Sequence, residues 1–110
     1  MPEDCLFCRI VNKEVESHFL YEDDTYVVFK DIKPAAPVHL LLVPRVHIRS
    51  INDLLPDHES LVGGLFPLAA KMAQAQGVDK SGYKLLFNVE RGGGQMIFHL
   101  HLHLIGGWQR

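Results

Sequence analysis

The segment FHLHLHLIGG, residues 98–107, carries three of the seven histidines at strict two-residue spacing: His99, His101 and His103. In a helix the central imidazole would point about 200° away from the first, whereas a strand places alternate side chains on one face. Glycines before and after the segment leave little room for a helix. We therefore predict that residues 98–105 are extended, with the imidazoles on one face and the leucines on the other.

A row of imidazoles on one strand face is compatible with two kinds of chemistry. Two histidines spaced in this way can ligate zinc, and a third can close the site. Alternatively, a neutral imidazole attacks phosphorus or acyl carbon, and its neighbours set its tautomer and move protons near neutral pH. The structural alternative is that backbone carbonyls or water satisfy all three rings. The strict alternation favours a functional role.

Four other segments have recognisable local patterns. Residues 6–15 are partly amphipathic and are compatible with a short helix, and residues 20–29 predict a hairpin. Residues 39–44 form a continuous apolar run that is typical of a strand buried on both faces, and residues 83–89 predict another strand. This order predicts an α+β domain with a mostly antiparallel sheet, whose last strand is an open edge that a second copy could cover.

A helical pattern extends over residues 52–76, where apolar side chains recur at helical spacing. Asn52 or Asp53 is the predicted cap and Gly77 the predicted stop. Pro67 interrupts the pattern, so we predict either a kink at that residue or two helices.

Composition narrows the function classes. The chain has 110 residues and a net charge of −2, which predicts one domain over 1–110 and argues against a nucleic-acid binder with a broad basic surface. No apolar run reaches membrane-spanning length, and MPEDCLFCRIV lacks the charged start of a signal peptide. We therefore expect a cytoplasmic protein with no membrane partner, in which the cysteines are reduced thiols or metal ligands.

The pattern His-Leu-His-Leu-His-Leu-Ile over 99–105 resembles the signature of the histidine triad superfamily of nucleotide hydrolases and transferases. FKDIKPAAPVHLLLVPRVHI (29–48), YKLLFNVERGGGQMIFHLHLHLIGG (83–107) and CLFCRIVNKEV (5–15) resemble its Hint branch, the nucleoside phosphoramidases. The resemblance implies an α+β fold with a five-stranded antiparallel sheet and one main helix. It also implies a homodimer whose sheets join into ten strands, with a purine nucleotide such as AMP bound in a cleft on each subunit.

The resemblance further implies how the histidines act. His101 would attack the α-phosphorus of an adenosine phosphoramidate, displace the amine and form an adenylyl-histidine that water cleaves. Since a phosphorus–nitrogen bond breaks readily once the nitrogen is protonated, the site also needs a donor beside the leaving group. His103 would share the phosphate contact, and His39 would orient it or relay protons.

The implied nucleotide contacts come from four segments. Base and ribose would be held by an apolar pocket and a carboxylate, which are supplied by Leu6, Phe7, Phe29, Ile32 and Asp31. Phosphate or ribose would be held by a side-chain amide and by backbone N–H groups, which are supplied by Asn88, Gly94, Gln95 and Met96. Met96 departs from the family pattern, because Hint proteins commonly carry a serine there. The lost hydroxyl is worth about tenfold in rate.

The Cys5-X-X-Cys8 pair starts the chain rather than following a strand, which disfavours a redox motif. Some bacterial histidine triad proteins pair such cysteines with two histidines, and the matching positions here are His47 and His99. The resemblance thus implies a structural zinc with four protein ligands and no organic cofactor. Two free buried thiols are the alternative.

Three rival functions remain open at this point. A dinucleoside polyphosphate hydrolase of the Fhit type would differ in its leaving group. A non-catalytic nucleotide-binding or zinc-binding regulator would need no nucleophile. A zinc hydrolase would use all three histidines of the 99–103 segment as ligands and would lose turnover on chelation.

Overall fold

The computed structural model describes residues 5–109, which contain a short N-terminal helix, a five-stranded sheet and a helical crossover. The elements in chain order are α1 (Leu6–Val11), β1 (Tyr21–Glu22), β2 (Tyr26–Lys30), β3 (Val38–Pro44), α2 (Glu59–Gly63), α3 (Leu65–Ala75), β4 (Tyr83–Leu86) and β5 (Leu102–Gly106). Within the described range, no helix has both the length and the apolar character needed to cross a bilayer.

All strand pairs are antiparallel, in the spatial order β1-β2-β3-β5-β4. The expected α+β fold, with a five-stranded antiparallel sheet and one main helix, is therefore confirmed. The expectation that the last strand is an edge is wrong, because β5 lies between β3 and β4. The chain returns after β4 to fill a gap inside the sheet, and sequence order alone does not show such an insertion.

The sheet separates two apolar clusters. β3 is almost wholly buried, as predicted for the 39–44 run. Leu102 and Leu104 of β5 pack in the cluster on the α3 side. The other face carries the α1 cluster, which includes Phe7, Cys8, Phe29 and Leu41.

The helical region begins later than predicted. Two short 3-10 turns come first, Ile51–Asp53 and Pro56–His58, and the first α-helical residue of this region is Glu59. Leu55 is extended because it precedes Pro56, and a residue before proline is disfavoured in the α conformation. The expected cap at Asn52 or Asp53 is therefore wrong.

The break between the two helices lies at Gly64, which ends α2 and caps α3. The prediction of two helices is confirmed, but Pro67 is not the break. It occupies the first turn of α3, where N–H groups have no partner within the helix. Gly77 follows the end of α3 with a φ of 73°, as a predicted stop should.

The histidine segment is only partly a strand. Hydrogen-bonded pairing begins at Leu102, and residues 97–99 bend, so the prediction for 98–105 is correct only for its second half. The Leu100 N–H donates to the Ile48 carbonyl at 2.7 Å, which ties this part of the chain to a loop rather than to the sheet.

Two adjacent glycines give a test of the α2–α3 junction. A Cβ on Gly64 would lie 2.3 Å from the Tyr26 hydroxyl, which donates to the Leu61 carbonyl at 2.6 Å, whereas a Cβ on Gly63 meets nothing within 4 Å. We expect Gly64→Ala to lower the free energy of unfolding by about 1–3 kcal/mol through loss of that bond. Gly63→Ala should raise it by about 0.5–1 kcal/mol. Denaturant unfolding measures both, and equal effects would contradict the packing described.

Candidate functional site

His101 and His103 lie side by side on the α1 face of the sheet, with ring centroids 4.9 Å apart. Each is 9% exposed. The His101 Nδ1 atom lies 2.7 Å from the His99 carbonyl oxygen. A carbonyl only accepts, so Nδ1 carries the proton, and the neutral ring has its lone pair on Nε2.

A second set of contacts fixes the tautomers of His39 and His103. The Ala35 N–H donates to His39 Nδ1 at 3.0 Å, so the neutral His39 ring carries its proton on Nε2. That Nε2 lies 2.9 Å from His103 Nδ1. His103 therefore accepts at Nδ1 and presents an N–H at Nε2. Since Nδ1 of His39 is occupied by a backbone donor, the geometry suits orientation of His103 better than proton relay.

Asp31 closes this chain of groups. Its Oδ2 lies 3.5 Å from His39 Nε2, and its Oδ1 accepts the Lys33 N–H at 2.9 Å. Asp31, His39 and His103 are close enough together to suggest a metal site. The Ala35 bond argues against it, because a ligating Nε2 on His39 would need its proton moved to the nitrogen that already accepts from Ala35.

Burial sets the charge state of the two facing rings. Loss of solvent lowers the pKa of His101, against the opposing effect of the His99 carbonyl. Burial, together with His101 and His39, lowers the pKa of His103 to about 4. Both rings are therefore neutral at neutral pH.

Asn88 lies just beyond β4, and its side-chain amide nitrogen is 3.4 Å from His103 Nε2. Both atoms are donors, given the tautomer of His103, so neither satisfies the other and each can donate to a ligand. A Cβ on Gly94, which has a φ of 89°, would lie 3.8 Å from the Asn88 side chain.

The glycine-rich loop offers fewer free donors than its sequence suggests. The Gly94 N–H donates to the Arg91 carbonyl, and the Gln95 N–H to the Glu90 carbonyl, both at 3.0 Å. The Met96 N–H has no acceptor among residues 5–109, and its side chain is 85% exposed. Of the three predicted phosphate donors, only Met96 is thus free to bind a ligand through its N–H.

The predicted base-binding residues differ in accessibility. Phe7 and Phe29 meet edge to face at 5.4 Å and are buried in the α1 cluster, and Phe7 also touches the His101 ring at 5.0 Å. Leu6 is half-buried, and Ile32 is 91% exposed. Leu6 and Ile32 can therefore contact a ligand directly, whereas the phenylalanines support the site from inside the core.

The four predicted metal ligands come together. The ligand atoms of Cys5, Cys8, His47 and His99 all lie within 4.8 Å of one another. His99 Nδ1 is 3.4 Å from Cys5 Sγ, 3.5 Å from Cys8 Sγ and 3.3 Å from His47 Nδ1, and Cys8 Sγ is 3.3 Å from His47 Nδ1. A tetrahedron with zinc-like bond lengths has edges of about 3.3–3.6 Å for these atom pairs. The donor set therefore fits a tetrahedral metal ion.

Groups around this cluster orient its ligands. His99 Nε2 lies 2.7 Å from the Pro44 carbonyl, which places its proton there and leaves Nδ1 free to ligate. Cys5 caps α1, and its sulfur accepts the Cys8 N–H at 3.2 Å. Burial and the Cys5 sulfur raise the pKa of Cys8 to about 12, so a Cys8 thiolate at neutral pH requires a cation beside it.

The three histidines of the 99–103 segment thus divide into two groups. The His99 ring faces the cysteines, while His101 and His103 face each other and His39. This division disfavours a zinc hydrolase in which all three share one metal. The sequence did not predict the bond from the Ala35 N–H to His39, since any non-proline residue carries the same donor. It also did not predict a role for Glu90, which precedes the glycine run and contacts Ser50.

Comparison with known proteins agrees with this geometry. The family model described as "Scavenger mRNA decapping enzyme C-term binding" matches residues 4–108. The "Purine nucleoside phosphoramidase" of Escherichia coli K12 is 40% identical over 107 residues, which cover 97% of this chain and 90% of that protein.

Solved structures extend the comparison to the fold. A HIT family hydrolase from Legionella pneumophila Philadelphia 1 has 46% identity and a TM-score of 0.94, with 96% of this chain and 95% of the other covered. A zinc-bound histidine triad family protein from Mycobacterium smegmatis has 28% identity and a TM-score of 0.81, with 93% and 73% covered. The chain belongs to the histidine triad family and is a hydrolase of that family.

Proposed function

We propose that this hydrolase cleaves the phosphorus–nitrogen bond of purine nucleoside 5'-phosphoramidates through a covalent nucleotidyl group on His101. The observation that carries the proposal is the 2.7 Å contact between His101 Nδ1 and the His99 carbonyl. It fixes the ring and leaves Nε2 with the lone pair that a nucleophile needs. The E. coli relative named as a purine nucleoside phosphoramidase supports this choice of substrate class.

The reaction then has two steps. The His101 Nε2 lone pair forms a bond to the α-phosphorus, and the bond from phosphorus to the amine breaks as the leaving nitrogen takes a proton from solvent. The oxygen of a water molecule next bonds to phosphorus as the bond from phosphorus to Nε2 breaks, and the water returns a proton to solvent. This step releases the nucleoside monophosphate and restores the neutral imidazole.

Three donors would hold the phosphate during both steps. The His103 Nε2 atom and the Asn88 amide nitrogen lie 3.4 Å apart, and the Met96 N–H has no acceptor within the described structure. His39 would keep His103 in the donating tautomer, because the Ala35 N–H leaves His39 only its Nε2 proton to offer. Fixed donors of this kind stabilise charge on the transferring group without reorganisation.

The nucleoside would lie between Asp31 and the apolar residues. The Asp31 carboxylate retains acceptor capacity for ribose hydroxyls. The exposed Ile32 and the half-buried Leu6 would contact the base directly. Phe7 and Phe29 would support that surface from the core.

The cluster of Cys5, Cys8, His47 and His99 would hold a structural zinc ion. Its ligand spacing supports this assignment, and so does the zinc-bound relative from M. smegmatis. When bound, the ion would compensate two buried thiolates and link α1 to the segment before β5. With four protein ligands it would have no open position, so it takes no part in the chemistry.

A second copy of the chain would complete the assembly. β4 is an edge strand in which only one side of the ladder is paired. Beside it, Phe66 is 45% exposed and contacts Phe87. Pairing of two β4 edges would join the sheets into ten strands and cover this surface.

The ring tautomers can be read directly by NMR. We expect ring ¹⁵N shifts of neutral Nε2–H imidazoles for His39 and His103, and of a neutral Nδ1–H imidazole for His101. The His103 signals, assigned with His103→Asn, should keep their neutral pattern on acidification until about pH 4, because burial disfavours the charged ring. An Nδ1–H pattern for His39 would contradict the role of Ala35.

The covalent step can be trapped. During turnover of an adenosine phosphoramidate, rapid acid-free quenching and mass spectrometry should find an AMP adduct on the peptide that contains His101. His101→Ala should lower turnover at least about a thousandfold, since the nucleophile is lost. His18→Ala, at an exposed histidine, is the matched control and should retain activity. Faster cleavage of a diadenosine polyphosphate than of the phosphoramidate would favour the Fhit-type alternative.

Metal removal should act on the fold rather than on the chemistry. We expect about one zinc per chain by elemental analysis and almost none in Cys8→Ser. Chelation should lower the unfolding midpoint by more than about 5 °C, because even 1 kcal/mol shifts a domain of this size by roughly 4–8 °C. If turnover fell in step with metal loss while the midpoint stayed constant, a structural role would be refuted.

A further inference from the structure

We propose that Glu90 is a positioning residue that holds the loop of residues 90–96 in the conformation that presents the Met96 N–H. This inference rests on the proposed function, because it names what orders the phosphate-binding part of that site. It depends on three sets of contacts made by Glu90: those of its carboxylate, its backbone N–H and its carbonyl.

The carboxylate joins the loop to a segment far away in sequence. Glu90 Oε2 accepts from Arg49 Nη1 at 2.5 Å and from Ser50 Oγ at 2.6 Å. Ser50 is 1% exposed, so its hydroxyl is a fixed donor rather than a mobile surface group. The Arg49 guanidinium also lies 4.5 Å from the ring centroid of Phe98, which adds a second contact that restrains it.

The backbone of Glu90 closes the loop on itself. Its N–H donates to Gln95 Oε1 at 2.8 Å, and its carbonyl accepts the N–H groups of Gly93 and Gln95 at 3.0 Å each. Gln95 is 4% exposed, and its Nε2 donates to the Arg49 carbonyl at 2.9 Å. The ring of bonds between Glu90 and Gln95 is therefore anchored at both ends to the Arg49–Ser50 segment.

The backbone conformation of Glu90 indicates that its side chain contributes to the structure of the loop. Its φ is 61°, in the left-handed region that side-chain-bearing residues adopt rarely. Glycine would adopt this φ without strain, and three glycines follow Arg91, the next residue. The strain is offset where the carboxylate bonds to Arg49 and Ser50, which is how strained residues persist at functional positions.

The loop order has a direct effect on ligand binding. Residues 92–94 are all glycine and have many accessible conformations when they are not held. A ligand that binds an unheld loop must order it, which weakens affinity. Glu90 would remove that cost by fixing Gln95, whose neighbour Met96 carries the N–H that has no acceptor among residues 5–109.

The test compares Glu90→Ala and Glu90→Gln with Glu22→Ala. Glu22 is a matched control, because its carboxylate also pairs with an arginine, Arg45 at 3.0 Å, at the opposite edge of the sheet. Glu90→Ala should speed amide hydrogen exchange at Gly93 and Gln95 at least about tenfold and raise the Kd for AMP about tenfold. Glu90→Gln keeps one acceptor oxygen and should be intermediate in both, while Glu22→Ala should change neither.

Glu90→Gly guards against a folding failure, since it relieves the backbone strain and still removes the carboxylate. It should give the same faster exchange and weaker AMP binding as Glu90→Ala. Unchanged exchange at Gly93 and Gln95 in both variants would overturn the proposal, as would an equal loss of AMP affinity in Glu22→Ala. Faster exchange in a protein whose wild type fails to bind AMP would refute the nucleotide ligand but support the role of Glu90 in ordering the loop.

Discussion

The bond between the His101 ring and the His99 carbonyl connects the two halves of the site. The same residue, His99, turns its ring toward the two cysteines and its carbonyl toward the neighbouring imidazole. The position of the His99 backbone is therefore set by the metal-ligand cluster on one side and used by the candidate nucleophile on the other. The two clusters are thus joined through a single residue, His99.

A short stretch of chain between β3 and the first 3-10 turn supports most of this arrangement. Residues 44–50 contact the ligand cluster, the bend before β5 and the glycine loop in turn. The contacts are Pro44 O with His99, His47 with the cysteines, Ile48 O with Leu100, Arg49 O with Gln95, and Ser50 with Glu90. The candidate metal ligands and the glycine-rich loop thus share one support.

The side-chain periodicity of the sequence was sufficient to predict the fold class, the buried β3 strand and the shared face of His101 and His103. It was insufficient where the structure depends on a backbone hydrogen bond or on the order of the strands in the sheet. The start of β5 at Leu102 follows from a bond between Leu100 and Ile48, and the interior place of β5 follows from a return of the chain. The late start of α2 could have been predicted from the sequence, because Leu55 precedes a proline.

The support of His39 by the Ala35 N–H has an evolutionary consequence. A main-chain donor is present in every residue type except proline, so exchange of the Ala35 side chain leaves the proton arrangement of His39 and His103 intact. Substitution of the side chain at position 35 therefore does not change the orientation of the His39 and His103 rings. The side chain at position 35 can therefore change while the imidazoles behind it keep the same polarity.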